Sequence, residues 1–232
     1  MNKSSNISKY YWLPILCLTV LHPFEEDIKK AVKFLQQEKT TILQIKNTSN
    51  TEGDEALAIV FPELLRWNAF NDFLETTALE LIYIQNGSNA ANFSIGYFQM
   101  KPRFIEQLEN YIATHEESLK TFTYVIIKDK TDTESRKERV NRLKQWAWQL
   151  RYAHVYWLVT QDVFKHRVFK TKKDRIRFYA TAYNYGFLRS EKEIEARLYR
   201  AIFPYGSIFK GEQLAYGDIA VEFFEKYVKE FK

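Results

Sequence analysis

The sequence predicts a mainly α-helical protein with a single folded domain in a chain of 232 residues. Apolar residues recur every three or four positions along most of the chain, which is the period of a helix with one buried face. Glycine and proline are scarce, at 7 and 5 residues, and neither an internal repeat nor an interdomain linker is visible. With 46% hydrophobic residues the chain can bury a sizeable core, which excludes a disordered or collagen-like protein.

The first part of the chain is predicted to be separate from this domain. Residues 1–24 carry Lys3 and Lys9 ahead of an apolar stretch over 10–21, a pattern typical of a secretory signal peptide or a membrane anchor. The stretch is shorter than the roughly 20 residues of a comfortable spanning helix. The alternative is an apolar N-terminal helix that packs on the core. We therefore expect a signal or anchor, with possible membrane attachment, followed by a helical domain over 25–232.

Within that domain the apolar period places the helices. Over 28–35, apolar residues stand at i, i+3, i+4 and i+7, and Pro102 suits the first position of a later helix. The β-branched segment 124–127 has no partner strand nearby, so no strand is predicted there. The polar stretch 128–141 is expected to be a surface loop that runs into a long aromatic helix. Further helices are predicted over 56–69, 71–83, 142–160, 174–184, 190–201 and 217–231.

The charge balance points to anionic partners without choosing one. The net charge is +5 at pH 7, which suits nucleic acid, anionic lipid or bacterial cell wall. The most basic stretch, residues 165–177, has seven lysines and arginines against one acid, Asp174. It can be interpreted as a nucleic-acid patch or as a solvated surface. We expect the second, and no nucleic-acid partner, because the sequence has no recognisable DNA-binding motif.

Several kinds of chemistry are excluded by residue counts and spacing. Cys17 is the only cysteine and lies in the predicted leader, which excludes a disulfide framework and makes thiol catalysis improbable. The four histidines are widely spread and lack the spacing of a metalloprotease helix. The chain has neither a glycine-rich phosphate loop nor a Gly-x-Ser-x-Gly elbow. No metal site and no cofactor are therefore predicted, which leaves carboxylate chemistry or binding.

Three short segments combine residue types that suit acid catalysis on a sugar. The apolar segment 56–64 carries Glu63 beside a proline, and such a flank would desolvate the carboxyl and raise its pKa. Segments 93–102 and 180–186 offer amides and hydroxyls for sugar hydroxyls and N-acetyl groups, with aromatic rings for stacking. The predicted substrate-binding residues are Ser94, Gly96, Tyr97, Phe98, Gln99, Met100, Tyr183, Asn184 and Tyr185.

Taken in order, the three segments resemble the lysozyme-like superfamily, specifically goose-type lysozymes and soluble lytic transglycosylases. In that family an apolar helix ends at the catalytic glutamate, a Gly-Leu-Met-Gln-x-x-Pro segment lines the cleft, and an Ala-x-Tyr-Asn-x-Gly segment lies on a later helix. Residues 96–102 match the second segment with aromatics in place of Leu-Met, and residues 182–186 match the third. The resemblance covers about residues 56–186 and implies a lysozyme-like fold.

The catalytic glutamate has more than one candidate. Leu64 follows Glu63 where the family usually has serine or threonine, whereas Glu75 is followed by threonine. The interval from Glu63 to Gln99 is longer than is usual in the family, so a helix is predicted to be inserted around 70–84. The apolar run before Glu63 matches the family's catalytic helix better. The resemblance implies Glu63 as the acid, with Glu75 as a rival or assistant and Glu80 as a third, weaker candidate.

The activity implied by the resemblance is cleavage of peptidoglycan by a periplasmic or secreted enzyme. The bond is the β-1,4 linkage between N-acetylmuramic acid and N-acetylglucosamine. Asp54 and Asp72 are near Glu63 in sequence but have polar surroundings, so no obvious second carboxylate is available. A single glutamate favours a lytic transglycosylase over a hydrolase. The alternatives are a catalytically inactive, lysozyme-fold cell-wall-binding protein and a basic helical nucleic-acid-binding protein.

Overall fold

Helices form most of the computed structural model, which describes residues 24–49, 53–69, 73–115, 119–207 and 210–231. This confirms the mainly α class. The predicted leader lies outside the described residues apart from Phe24. Among the described residues, no helix has both the length and the apolar character needed to cross a membrane.

The elements follow one another with short connections. The α-helices are α1 (Glu25–Gln37), α2 (Lys39–Ser49), α3 (Gly53–Ala69), α4 (Phe73–Asn86), α5 (Pro102–Thr114), α6 (Asp132–Leu143), α7 (Trp146–Val163), α8 (Lys172–Tyr185), α9 (Glu191–Glu195) and α10 (Tyr216–Lys226). Two 3₁₀ turns cover Lys120–Val125 and Val228–Phe231. The strands β1 (Ala201–Phe203) and β2 (Leu214–Ala215) pair antiparallel in a small ribbon.

Helix α3 is the centre of the packing. Every residue from 56 to 65 is buried, and α3 contacts α1, α7, α8 and α10. Asp54 and Glu55 stand in its first turn, where negative charge favours the helix dipole. Phe61 stacks on Phe223 of α10 with ring centroids 4.0 Å apart. A helix enclosed in this way carries any side chain on its middle turns into the interior.

The expected loop over 128–141 is wrong for most of its length. Residues from Asp132 onward form α6, and Thr131 caps its start. The Thr131 hydroxyl accepts a hydrogen bond from the Glu134 N–H at 3.3 Å, and the Glu134 carboxylate accepts one from the Thr131 N–H at 2.9 Å. This reciprocal pair is a capping box, whose Thr-x-x-Glu spacing signals a helix start even in a polar stretch. The expected helix at 142–160 is accordingly two, with a break before Trp146.

Other boundaries also differ from the expectations. The helix predicted over 190–201 ends at Glu195, and the chain then turns into β1. Helix α2 was not predicted. The absence of a strand at 124–127 agrees with the structure, where a 3₁₀ turn covers Lys120–Val125. Pro102 opens α5 as predicted, and α4 occupies the interval where an inserted helix was predicted.

Candidate active site

Glu63 is a buried carboxylate on the central helix. Its residues on either side in α3 are apolar and buried, and Glu63 itself is only 4% exposed. Pro62 lacks an N–H, so the carbonyl of Ala58 loses its usual helical partner one turn earlier. The low exposure of Glu63 confirms the burial that its apolar neighbours in the sequence predict.

The surroundings of Glu63 favour its protonated form. Loss of solvent raises the pKa of the carboxyl to about 7, because burial penalises the charged state. The positive charges of Arg66 and Lys101 and the hydroxyl of Tyr216 act in the opposite direction and lower the pKa. A carboxyl with this balance holds a proton in a large fraction of molecules near neutral pH and can also release it, as a general acid and base must.

Two tyrosine hydroxyls lie close to this carboxyl. The pKa values of Tyr183 and Tyr216 are raised well above the usual 10, first by burial and then by the charge of Glu63. Within the described part of the chain, neither Glu63 Oε2 nor the Tyr216 hydroxyl has a hydrogen-bond partner of normal geometry. The rings of Tyr183 and Tyr216 are stacked with centroids 6.4 Å apart. Glu63 Oε2 is therefore a buried oxygen that lies near the Tyr216 hydroxyl, whose interaction with the carboxyl lowers its pKa.

The segment 93–100 forms a tight turn that faces this carboxyl. Ile95 and Met100 exchange two backbone hydrogen bonds, of 3.0 and 3.1 Å. Between them Gly96 has a φ of 70° and Gln99 a φ of 47°. The Gln99 side-chain amide donates a hydrogen bond to the Gly96 carbonyl at 2.8 Å. A non-glycine residue in the left-handed region is costly, so the turn must be held by its surroundings.

Gln149 on α7 holds the turn in place through two hydrogen bonds. Its Oε1 accepts a hydrogen bond from the Phe98 N–H at 2.7 Å, and its Nε2 donates to the carbonyls of Ile95 and Leu143. From the other side, the Tyr183 hydroxyl donates to the Phe98 carbonyl at 2.7 Å. The turn is therefore attached to α7 and α8 through the backbone of Phe98. Gln149 was not among the predicted site residues, although it is one of only two amides in an aromatic-rich helix.

Glu63 lies in the wall of an open cleft of about 530 Å³. Of the predicted substrate-binding residues, Ser94, Gln99, Met100, Tyr183, Asn184 and Tyr185 line this cleft together with Glu63. The same wall contains residues that were not predicted, and most are basic or polar. They are Arg66, Asn92, Lys101, Arg103, Phe104, Gln107, Gly186, Leu188 and Arg189.

Three predicted residues do not line the cleft. Phe98 is fully buried and packs on Trp146, with ring centroids 5.1 Å apart. Tyr97 stacks on Phe34 at 4.9 Å, and Gly96 faces Gln149. These three residues support the turn from behind, while Ser94, Gln99 and Met100 line the cleft.

Neither of the other two candidate acids is described in the wall of the cleft. Glu80 forms a salt bridge with Lys144 at 2.6 Å and is not part of the cleft wall. Glu75 lies in α4, but its side chain is outside the described part of the structure. Among the described side chains that line the cleft, Glu63 is the only carboxylate.

A second groove continues from the first. It has a volume of about 400 Å³ and shares Arg103, Gln107 and Leu188 with the main cleft. Its walls carry amides and hydroxyls, the groups that bind sugar hydroxyls; they include Ser88, Asn89, Asn110 and Thr114. The groove also contains the carboxylate of Glu106, which pairs with Arg139 at 3.5 Å. The two grooves together form a continuous, largely polar surface, with Glu63 in the wall of the first groove only.

Comparisons with known proteins bring no further assignment. No family model, no curated protein and no solved structure matches this chain. Within the described residues, no group of three or more histidine, cysteine, aspartate or glutamate side chains could hold a metal ion. The site must therefore be interpreted from its own geometry.

The contact between Gly96 and Gln149 generates one prediction. A Cβ atom on Gly96 would lie 1.6 Å from Gln149 Nε2 and 2.8 Å from the Leu143 carbonyl oxygen. We expect Gly96→Ala to lower the free energy of unfolding by about 1–3 kcal/mol more than Gly206→Ala, because only the first forces atoms to overlap. Gly206 also has a positive φ, of 86°, but open space around it, so it is a matched control for backbone strain. Urea unfolding followed by circular dichroism measures both, and equal losses would contradict the contact.

The buried carboxyl generates a second prediction. Between the ordinary pKa of 4.5 and the raised pKa of about 7, the folded protein keeps the Glu63 proton while the unfolded chain has lost it. Its stabilising contribution is therefore complete below about pH 4.5, falls as the pH rises and stays low above about pH 7. Over this window the wild type should lose about 3 kcal/mol more unfolding free energy than Glu63→Gln, which does not titrate. Parallel pH dependences of the two proteins would show that Glu63 has an ordinary pKa.

Proposed function

We propose that this protein cleaves the glycan strand of peptidoglycan, with Glu63 as the acid. The observation that carries the proposal is a largely buried carboxyl with a pKa of about 7 that lines an open polar cleft. The order of the matched segments along the chain supports the same conclusion. A secreted or periplasmic location is proposed with it, because the substrate is outside the cytoplasm.

The proposed reaction uses one residue twice. Protonated Glu63 gives its proton to the glycosidic oxygen as the bond from that oxygen to C1 of N-acetylmuramic acid breaks. The resulting carboxylate then takes the proton of the C6 hydroxyl of the same sugar, and O6 forms a bond to C1. The products are a 1,6-anhydro sugar and a free hydroxyl on the leaving strand, with Glu63 protonated again. No water is consumed.

The number of carboxylates in the cleft favours a lytic transglycosylase reaction over hydrolysis. Glycosidases that use water or a covalent intermediate usually have two carboxylates across the bond. The described cleft offers Glu63 alone, with four cations around it: Arg66, Lys101, Arg103 and Arg189. Glu75 remains the proposed assistant or rival.

One observation favours a second candidate, an inactive protein of this type that only binds cell wall. The Gln99 amide donates to the carbonyl of Gly96 in its own turn, and so it is engaged before any sugar arrives. Binding to insoluble peptidoglycan without any soluble product would support this candidate.

The nucleic-acid alternative loses its main support. Within the basic stretch 165–177, Arg167 pairs with Glu191 and Glu195, Arg175 with Glu55, and Arg177 with Asp218. Lys173 also pairs with Glu225. Much of the positive charge of this stretch is therefore neutralised within the protein, which favours the interpretation as a solvated protein surface.

Release of soluble muropeptides from purified peptidoglycan tests the proposal. We expect Glu63→Gln to lower the initial rate by about 100- to 10,000-fold, because the amide cannot donate a proton to the leaving oxygen. Glu80→Gln is the control, since Glu80 is paired with Lys144 away from the cleft, and it should keep wild-type activity.

The same assay on Glu75→Gln separates the two candidate acids. A partial loss would fit an assisting role. An inactive Glu75→Gln protein beside a fully active Glu63→Gln protein would move the acid to Glu75. A wild-type protein that releases no product would remove the enzymatic proposal altogether.

A further inference from the structure

The walls of the cleft carry an excess of positive charge that acid catalysis alone does not require. Arg66, Lys101, Arg103 and Arg189 line it, against the single described carboxylate of Glu63. Arg189 has a partner of its own, Glu193, at 3.4 Å. Arg66 and Lys101 act on the charge of Glu63, whose pKa they lower, so Arg103 is the cation that still lacks a role.

Most of the described arginines outside the cleft pair with a carboxylate, although Arg151, Arg197 and Arg200 form no salt bridge to a described side chain. Arg139, Arg142 and Arg175 each hold a carboxylate within 3.0 Å. In contrast, Arg103 and Lys101 are exposed and form no salt bridge or hydrogen bond to any described side chain. Cations left free on one concave surface create a positive potential that attracts an anionic ligand.

The position of Arg103 makes it the more informative of the two. It stands in the first turn of α5 and lines both the main cleft and the adjoining groove. The main cleft and the adjoining groove also share Gln107, one turn later in α5, and Leu188, which is 54% exposed. A strand that extends from Glu63 into the second groove must therefore pass the Arg103 guanidinium.

We propose that Arg103, with Lys101, selects glycan strands that carry anionic groups on the sugars next to the cleaved bond. The inference rests on the proposed function, since it names the form of the glycan that this cleft prefers. An arginine side chain can bind a carboxylate or a phosphate through two parallel hydrogen bonds, whereas a neutral strand offers it only hydroxyls.

The anion can come from two sources that share this chemistry. One is the free carboxylates of the peptide substituents, or of lactyl groups from which the peptide has been removed. The other is phosphate in polymers attached to it. Two treatments separate them: carbodiimide coupling of glycinamide neutralises carboxylates, and hydrofluoric acid removes phosphodiester-linked polymers.

Binding to insoluble peptidoglycan, measured by sedimentation, tests the inference without turnover. All proteins carry Glu63→Gln, and the variants Arg103→Gln and Lys33→Gln are added to this background. Lys33 is an exposed lysine on α1 outside both grooves, so its variant removes one positive charge without changing the site. We expect Arg103→Gln to weaken binding about three- to tenfold and Lys33→Gln to leave it unchanged.

The treated peptidoglycans complete the test. If the anion is a carboxylate, amidation should weaken binding of the parent protein to the level of Arg103→Gln, and Arg103→Gln should not weaken further. If the anion is a phosphate, treatment with hydrofluoric acid should instead weaken binding of the parent protein to the level of Arg103→Gln. Binding that neither treatment changes, or that Arg103→Gln and Lys33→Gln reduce equally, would overturn the inference.

A separate measurement of activity distinguishes failure of this inference from failure of the proposed function. Wild-type protein that cleaves native and amidated, phosphate-free strands at equal rates would leave the enzyme in place and overturn the selection. Charge-dependent binding that Arg103→Gln abolishes, without any cleavage by the wild type, would support the selection and overturn the enzyme.

Discussion

The desolvation of one carboxyl, on Glu63, is the constraint around which this structure is built. An ionised carboxylate is costly to bury, and α3 nevertheless carries Glu63 into the interior among apolar neighbours. The structure limits that cost by protonation, which the pKa of about 7 expresses, and by the nearby charges of Arg66 and Lys101. The same balance that makes the burial tolerable gives the carboxyl a proton that it can donate near neutral pH.

The remaining parts of the site depend on helices packed around α3. Helix α8 places Tyr183 beside Glu63 and, through its hydroxyl, holds the carbonyl of Phe98. Helix α7 holds the same residue's N–H through Gln149. The turn with its left-handed Gln99 is therefore held by two helices as well as by its own hydrogen bonds. Such support from packed elements keeps polar groups at fixed distances from the carboxyl, as a preorganised site requires.

Local patterns predicted the fold class and the buried state of Glu63 but not the supports of the site. The apolar period marked α3, and the run of apolar residues before Glu63 predicted its desolvation. Gln149 could not be predicted, because it contacts Phe98 from 51 positions away. Tyr97 and Phe98 were expected in the cleft because their ring types suit sugars, yet in a tight turn the direction of each side chain is set by φ and ψ. The start of α6 was missed because polarity was given more weight than the Thr131–Glu134 capping box.

Cleavage of a glycosidic bond by Glu63 without a second carboxylate, as we propose, would determine the chemical structure of the new chain ends. Mass spectrometry of the fragments that the wild-type protein releases from purified peptidoglycan identifies those ends. If Glu63 acts alone, we expect 1,6-anhydro-N-acetylmuramic acid at each cleavage, with no incorporation of ¹⁸O from labelled water. Reducing ends that carry ¹⁸O would contradict the single-glutamate mechanism, and intact glycan strands would contradict the proposed activity itself.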